Sequence, residues 1–502
     1  MRYFLIFIVI ISASLWRAPS VTAANLDFAT IDRLTYNCYL DKKWDSVITV
    51  GKQALRLNID YYYLRVRMGI AYYEKKEYFP AITHLNKARQ FNSSEPYVKD
   101  YLNLAYHYSN PNESAQILRS TMPPGGEAGP SSIQRFVDQV HVESGYTLSS
   151  DRSPENLDSL TGTDRIYGER DLYGNSFYSN VALKLRISKR VGLTLAYNYL
   201  NFNKTKYYQF GRAEGLRDSI NYTIFFPDTL SKNYFYSFPW KVRDTSFSYN
   251  VVQQEGYISA TVLGPWGVKI TPAVHFIRVG YPVITPQITD SVSDTAFYSY
   301  ADNTYHMFTY PSVRYTFSKN DSSFNNWLVS LALSRDFGRF NIELCGSWSN
   351  LNNKKQKQAG LSLTWYPFGN LDFYGTTSVT GFFQKNDKRV LLSQVLGVKI
   401  TPWMWGEANF YYGDYTNANI FNGAVVYNNS DIIDYRGGAT LVFLAGKHLR
   451  MSLIYQFFRK ESTQYYYNKT EDPDTHKITE IPQTKNNPYN THTIIGGITW
   501  KL

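Results

Sequence analysis

Polar side chains set at alternate positions of otherwise apolar runs are the residues of this chain best placed to do chemistry. Lys184 and Arg186 alternate with Val181, Leu183, Leu185 and Ile187. Glu343 stands between Ile342 and Leu344, in a run that also carries Phe340 and Trp348. Arg450 and Gln456 alternate with Leu449, Met451, Leu453, Tyr455 and Phe457. Residues two apart on a strand share a face. Lys184, Arg186, Glu343, Arg450 and Gln456 therefore belong to polar faces opposed to apolar ones. The chemistry of such a face is that of a hydrated interior or of a charged path for a solute or polymer.

Catalytic constellations do not emerge. The chain has no nucleophile elbow, no H-E-x-x-H, no P-loop and no dinucleotide fingerprint. His275, His306, His448 and His492 lie in or near strand-like runs, and the sequence places no carboxylate or serine beside them. Cys38 and Cys345 are too far apart and too few for a disulfide framework or a zinc site, and read as small packing residues. The expectation is a non-enzyme without cofactor or metal. The net charge of +11 over 502 residues is spread out, with no basic stripe of the kind that binds nucleic acid.

The elements that would hold the polar faces are long strands. From Phe136 onward the apolar period is 2, as in Ala359, Leu361, Leu363 and Trp365 against Gly360, Ser362 and Thr364. Several runs reach ~10 to 14 residues, which suits a tilted membrane-crossing strand better than a soluble one. With 44 Tyr, 30 Phe and 10 Trp, aromatics form 17% of the chain, as barrels with interfacial girdles require. A mean hydropathy of −0.36 is compatible, because such strands are apolar on one face only. Tight turns at 188–190, 264–266, 336–338, 367–370 and 445–447 alternate with long polar stretches at 149–174, 203–245, 281–303 and 461–490. About fifteen strands can be counted, and an even number is needed if both ends are periplasmic, so 16 is expected, with 14 as the fallback. The region 280–327, where alternation blurs, is the uncertain part of the count. The 207–249 stretch is aromatic and could plug the lumen or sit outside. The hexapeptide from Gly267 to Pro272 recurs at Gly397 to Pro402.

The N-terminal part differs. Arg2, the apolar run from Tyr3 to Leu15 and Val21-Thr22-Ala23 read as a cleavable secretory signal over residues 1–24. Residues 25–122 carry helical spacing with a period of 34: Leu34, Met68 and Leu102 align, as do Cys38, Tyr72 and Tyr106, and Val47, Ala81 and Ala115. Met68-Gly69, Tyr72, Ala81, Leu85 and Ala88 resemble the tetratricopeptide repeat (TPR). Thr35 and Asn103 stand where that motif has Gly, and Gly51 where it has a bulky residue. The resemblance implies a groove lined by Tyr63, Val66, Ile70, Tyr73 and Glu74 that holds a periplasmic or envelope protein. Met122-Pro123-Pro124-Gly125-Gly126 opens a linker, 123–134, before the strand region 135–502.

The expected architecture is thus α + β multidomain: TPR-like helical hairpins followed by an antiparallel transmembrane barrel in outer-membrane lipid. The final strand, Ile494 to Leu502, resembles the C-terminal signal of outer-membrane barrels, with Trp500 two places early. Repeats before a barrel resemble, as an arrangement, the exopolysaccharide exporters. That resemblance implies a polysaccharide as the exported polymer. The exporters carry many more repeats. The alternative is a docking or scaffold component whose barrel is an anchor.

Overall fold

A computed structural model describes residues 27–109 except 94, and 136–502 except 152–165, 189, 214–216, 226–228, 238–239, 265–266, 295–296, 300–303, 307–309, 429, 447 and 472–477. The expected signal and linker lie outside the described residues. The chain divides into two compact units, Met1–Gly126 and Glu127–Leu502.

The first unit contains α1 (Phe28–Leu40), α2 (Trp44–Arg56), α3 (Tyr62–Glu74), α4 (Tyr78–Phe91) and α5 (Pro96–Ser109). The helices α1, α3 and α5 begin 34 residues apart, as do α2 and α4, so the period of the sequence is also the period of the helix pairs. The turns repeat with it. Lys42 and Lys76 take left-handed backbone at φ 56° and 60°. The following N–H groups of Lys43 and Glu77 return to the carbonyls of Cys38 and Tyr72, both at 2.9 Å. This is the hydrogen-bond pattern that ends a helix without orphan carbonyls.

Ile31, Val47, Leu64, Met68 and Ala81 form one buried cluster, and Val66, Ile70, Leu85, Ala88 and Leu102 another. Each fully buried aliphatic side chain contributes about 1.5–3 kcal/mol. Close approach rests on glycine at Gly69, where a Cβ would lie 2.5 Å from Leu85 Cγ.

Within this unit His84 stacks on Tyr72 at 5.3 Å, and its Nδ1 accepts from Arg65 Nη1 at 3.0 Å. Burial, reinforced by the Arg65 guanidinium, pushes the His84 pKa down to about 3. Between there and the ordinary value of about 6.5 the unfolded chain binds a proton that the folded one does not. Stability of the unit should therefore fall as pH drops through that window, by up to about 1.4 kcal/mol per pH unit. Amide exchange of α4 in the whole protein, corrected for intrinsic rate, should show protection falling between pH 7 and 5, and His84→Gln should flatten the dependence. Equal slopes in both proteins would contradict the assignment.

The second unit is a closed antiparallel barrel of fourteen strands. They are β1 (Val137–Ser149), β2 (Ile166–Arg186), β3 (Val191–Ala213), β4 (Trp240–Leu263), β5 (Lys269–Asp294), β6 (Tyr310–Phe337) and β7 (Phe340–Ser349), then β8 (Gln356–Trp365), β9 (Phe373–Gln384), β10 (Asp387–Thr401), β11 (Met404–Tyr412), β12 (Ile432–Ala445), β13 (Leu449–Glu471) and β14 (Ile478–Lys501). Neighbours in sequence pair around the ring, and β1 closes it against β14 with Val140 opposite Trp500 and Tyr146 opposite Ile494.

The count of 16 is corrected to 14. The blurred region 280–327 belongs to β5 and β6, which run 26 and 28 residues and pair from Lys269↔Ser334 out to Asp294↔Tyr310. Their outer halves extend beyond the ~9–11 residues a bilayer needs, so nothing imposes alternation there. By contrast β7 and β8 are 10 residues each and β11 is 9. For the same reason much of 203–245, 281–303 and 461–490, expected as loops, is paired strand. The 207–249 stretch continues the β3–β4 pair and adds a hairpin, 217–225 with 229–237. The recurring hexapeptide leads into β5 but ends β10, so it marks no duplicated hairpin.

Polarity is inverted relative to a soluble fold. Val181, Leu344, Leu361, Leu396, Leu453 and Ile498 are exposed on the outside, whereas Asn180, Asn198, Glu255, His275, Gln358 and Thr499 are buried within. Exposed Phe337, Phe340, Phe368, Trp403 and Trp500 ring the tight-turn end. Tyr146, Phe177, Tyr197, Trp348, Phe383 and Tyr412 ring the other edge of the belt. Bilayer interfaces favour such amphipathic rings.

Candidate functional site

The lumen is crossed by a segment that the sequence did not single out. The described residues of 413–431, between β11 and β12, fold inward. Tyr415, Asn417, Ala418 and Asn419 are buried. At the tip Ser330 Oγ donates to the Asn422 carbonyl at 2.7 Å and Asn422 Nδ2 donates to the Thr271 carbonyl at 2.8 Å. On the flanks Gln356 Nε2 donates to the Asn417 carbonyl at 2.7 Å, and Asn419 Nδ2 to Ser347 Oγ at 2.9 Å. On the return, Asn428 Nδ2 donates to Asn326 Oδ1 at 3.0 Å. Tip contacts fall on β5 and β6. Strands β12 and β5 are seven places apart in a ring of fourteen, so the segment spans the diameter.

Local chemistry explains why the segment folds this way. Asn419–Ile420 pairs with Val425–Val426 as a small hairpin. Its turn places Phe421, Asn422 and Gly423 at positive φ. At φ 79° Gly423 holds a backbone that side chains strain, and a Cβ there would lie 2.3 Å from Leu328 Cδ2, so glycine suits the turn against the wall. Tyr415 and Ala418 join Phe382, Leu391, Tyr411, Ile433 and Phe458 in an apolar cluster inside the barrel. Val426 packs on a second cluster built from Val251, Ile277, Val279, Leu328 and Leu351. At the feet, Asp414 pairs with Arg389, and Asp431 accepts from Tyr489 OH at 2.5 Å. Of the two places the sequence left open for 207–249, plug or outside, the described lumen gives the plug's place to this shorter segment.

The segment divides the lumen into unlike halves. One half, on β13, β14 and β1 to β4, is charged and tightly paired. Glu143 accepts from Tyr178 OH at 2.6 Å, and Arg186 Nη2 donates to Asp138 at 3.0 Å. Glu255 accepts from Asn198 Nδ2 at 2.7 Å and from Gln253. The other half, on β6 to β11, holds a cavity of about 220 Å³ lined mostly by hydroxyls and amides.

His275 joins the charged half to the tip. It is fully buried. Nδ1 lies 2.7 Å from the Gly423 carbonyl, which can only accept, so Nδ1 carries the proton. Nε2 faces Glu255 Oε2 at 3.3 Å. His275→Ala removes this latch and leaves the Ser330 and Asn422 bonds. Single-channel recordings should then show more frequent transient openings than the wild type. An unchanged trace would mean that the tip does not depend on His275.

Of the residues singled out from sequence, Lys184, Arg186, Arg450 and Gln456 fall on the inward faces of the charged half, with Arg450 donating to Thr499 Oγ1 at 3.4 Å. Glu343 lines the hydroxyl half with Cys345. No carboxylate could be placed beside a histidine from sequence, yet Glu255 meets His275. The pairing of β4 with β5 sets that register, with Tyr257 opposite His275, and the tight turn read at 264–266 was the available signal. For the inward segment the compositional signal was partial: residues 413–431 lack Lys and Arg, unlike 149–174, 203–245 and 461–490, but 281–303 lacks them too.

On the helical unit, Val66 and Ile70 are buried against Leu85 and Leu102 rather than on an open groove, because one turn apart on α3 they face α4 and α5. Tyr63 and Glu74 are exposed and Tyr73 is half-buried. Tyr73 meets Tyr101 edge-on at 5.2 Å, Tyr39 OH lies 3.1 Å from Tyr97 OH, and Arg67 stacks on Tyr36 at 5.1 Å. Tyr39 and Tyr73, like Tyr63 and Tyr97, are one 34-residue period apart, a regularity that could have exposed this aromatic face.

A closed antiparallel barrel with a lipid-facing apolar belt, two aromatic girdles and a polar lumen is an outer-membrane β-barrel. Solved structures with a similar barrel include a FadL homologue of Pseudomonas aeruginosa at 10% identity and TM-score 0.35, covering 72% of this chain and 90% of that one. The outer membrane protein Omp33 of Acinetobacter baumannii has 7% identity and TM-score 0.30, covering 73% and 99%. The toluene transporter TodX of P. putida has 8% identity and TM-score 0.27, covering 79% and 94%. No family model and no curated protein matches the sequence. The likeness is one of architecture.

Proposed function

We propose that this protein is a non-enzymatic outer-membrane conduit for small polar solutes, constricted by the inward segment 413–431. The observation that carries the reading is the diametric span of that segment, bonded to β5 through β8 while a polar cavity remains beside it. Export of a polysaccharide, which the arrangement of repeats and barrel implies, would require the whole segment to leave the lumen. It would have to give up both apolar clusters, so small solutes fit the geometry better. The test is permeation into proteoliposomes. Solutes of monosaccharide size should enter faster than into protein-free vesicles, and a dextran polymer should not. Exclusion of both would overturn the conduit; entry of dextran would restore the polymer path.

A docking role is favoured by one separate observation, the aromatic face of the helical unit with exposed Tyr36, Tyr63, Tyr97 and Tyr108. Under this reading the TPR-like unit is periplasmic and holds an envelope protein. Cross-linked pull-down of the full-length protein, with and without Tyr63→Ala/Tyr97→Ala, checks it. A partner recovered equally by both proteins would count against the face.

A further inference from the structure

The two halves of the lumen differ in one respect that points to a ligand. In the charged half Glu143, Arg186 and Glu255 are each hydrogen-bonded to a neighbouring side chain. In the other half a level row of side chains runs across β7 to β10: Glu343 is opposite Ser362, Ser362 opposite Ser378, and Ser378 opposite Ser393. Neighbouring strands lie ~4.8 Å apart, so the row offers hydroxyls at that interval. All four residues line the cavity, and Thr380 stands one step above Ser378 on the same face. The side-chain hydroxyls of Ser362, Ser378, Thr380 and Ser393 make no hydrogen bond among the described residues, although the hydroxyls of Thr364 and Thr376 beside them bond each other at 2.9 Å.

Rings complete the lining. Tyr411 on β11 is the register partner of Ser393 and so continues the row, Tyr415 of the inward segment meets it edge-on at 5.8 Å, and both line the cavity with Phe421. Hydroxyls donate and accept equally. A row of them matches a solute that does the same, and aromatic walls match its C–H faces. The cavity, about 220 Å³, is smaller than the ~300–1,000 Å³ of drug-sized sites. Its lining includes no Lys or Arg and one carboxylate, Glu343, at the end of the row. An anion is therefore disfavoured, and apart from Glu343 at its end the row carries no group that pairs with a net charge.

We infer that the hydroxyl-lined half is a binding site for a neutral polyhydroxylated solute of monosaccharide size, recognised by Ser362, Ser378 and Ser393. The inference rests on the conduit reading for its place in function, but its test does not. D-glucose is the probe, with putrescine as a cation of smaller bulk, each titrated against full-length protein in detergent and read by saturation-transfer NMR. Glucose should bind saturably, and Ser362→Ala/Ser378→Ala/Ser393→Ala should weaken it at least about tenfold through loss of three hydrogen bonds. Ser378→Thr, which keeps the hydroxyl, should retain binding. Absence of saturable glucose binding, or binding unaffected by the triple substitution, overturns the site even if the barrel conducts. Putrescine binding without glucose binding also overturns it, by assigning the cavity to Glu343. Glucose binding in a barrel that passes no solute would keep the site and remove the conduit.

Discussion

Replacing residues 415–428 with a short Gly-Ser connection should raise single-channel conductance by about an order of magnitude, because an interior between those of 8-stranded and 16-stranded barrels is too wide for wall side chains to fill. The segment spans the lumen and is the element that fills its middle. The barrel should survive the change. Strands β11 and β12 pair from Met404↔Phe443 to Tyr412↔Tyr435, and that ladder does not use the segment. The local cost falls on Phe382, Leu391 and Phe458, which lose Tyr415 and Ala418 as cover. Heat-modifiable gel mobility reports barrel closure, and planar-bilayer recording reports the pore. A folded barrel with unchanged conductance would place the constriction elsewhere.

The second large effect is on the helical unit. Gly69→Val should unfold it and leave the barrel intact. The obstruction at Gly69 is Leu85 Cγ at 2.5 Å, with the Leu85 backbone nitrogen at 3.3 Å. Neither is the free end of a side chain, so α4 must move. Overpacking of this kind costs ~1–3 kcal/mol and more when backbone obstructs, a large share of the stability of so small a unit. At Gly51 the obstructing atoms are the flexible end of Met68. Gly51→Ala should therefore be near neutral, since better helix propensity offsets the repacking. Helical circular dichroism separates the two variants. Equal behaviour would mean that helix spacing is not set at Gly69.

The barrel was legible wherever bilayer and lumen both press on a strand. Val181 to Arg186, Phe340 to Trp348 and Leu449 to Phe457 alternate because one face meets lipid and the other water. Legibility ended where one pressure was missing. The outer halves of β5 and β6 lost the pattern with the bilayer, which inflated the strand count. Residues 413–431 carry no strand period, because they pack against two apolar clusters from inside. The period of 34 located the helices, but not which face of α3 was covered. Tyr63 and Val66 are three apart, and only packing against α4 and α5 decides that Val66 is inside and Tyr63 outside.

The account stands on the inward position of 413–431, and engineered cysteines test it most directly. Asn419 Nδ2 lies 2.9 Å from Ser347 Oγ across the lumen. In a Cys38→Ser/Cys345→Ser background, Ser347→Cys with Asn419→Cys should form a disulfide in native outer membranes, seen as a mobility shift reversed by reductant. Two free thiols, with Asn419→Cys labelled by a membrane-impermeant maleimide added outside, would show the segment lying out of the barrel and contradict the account.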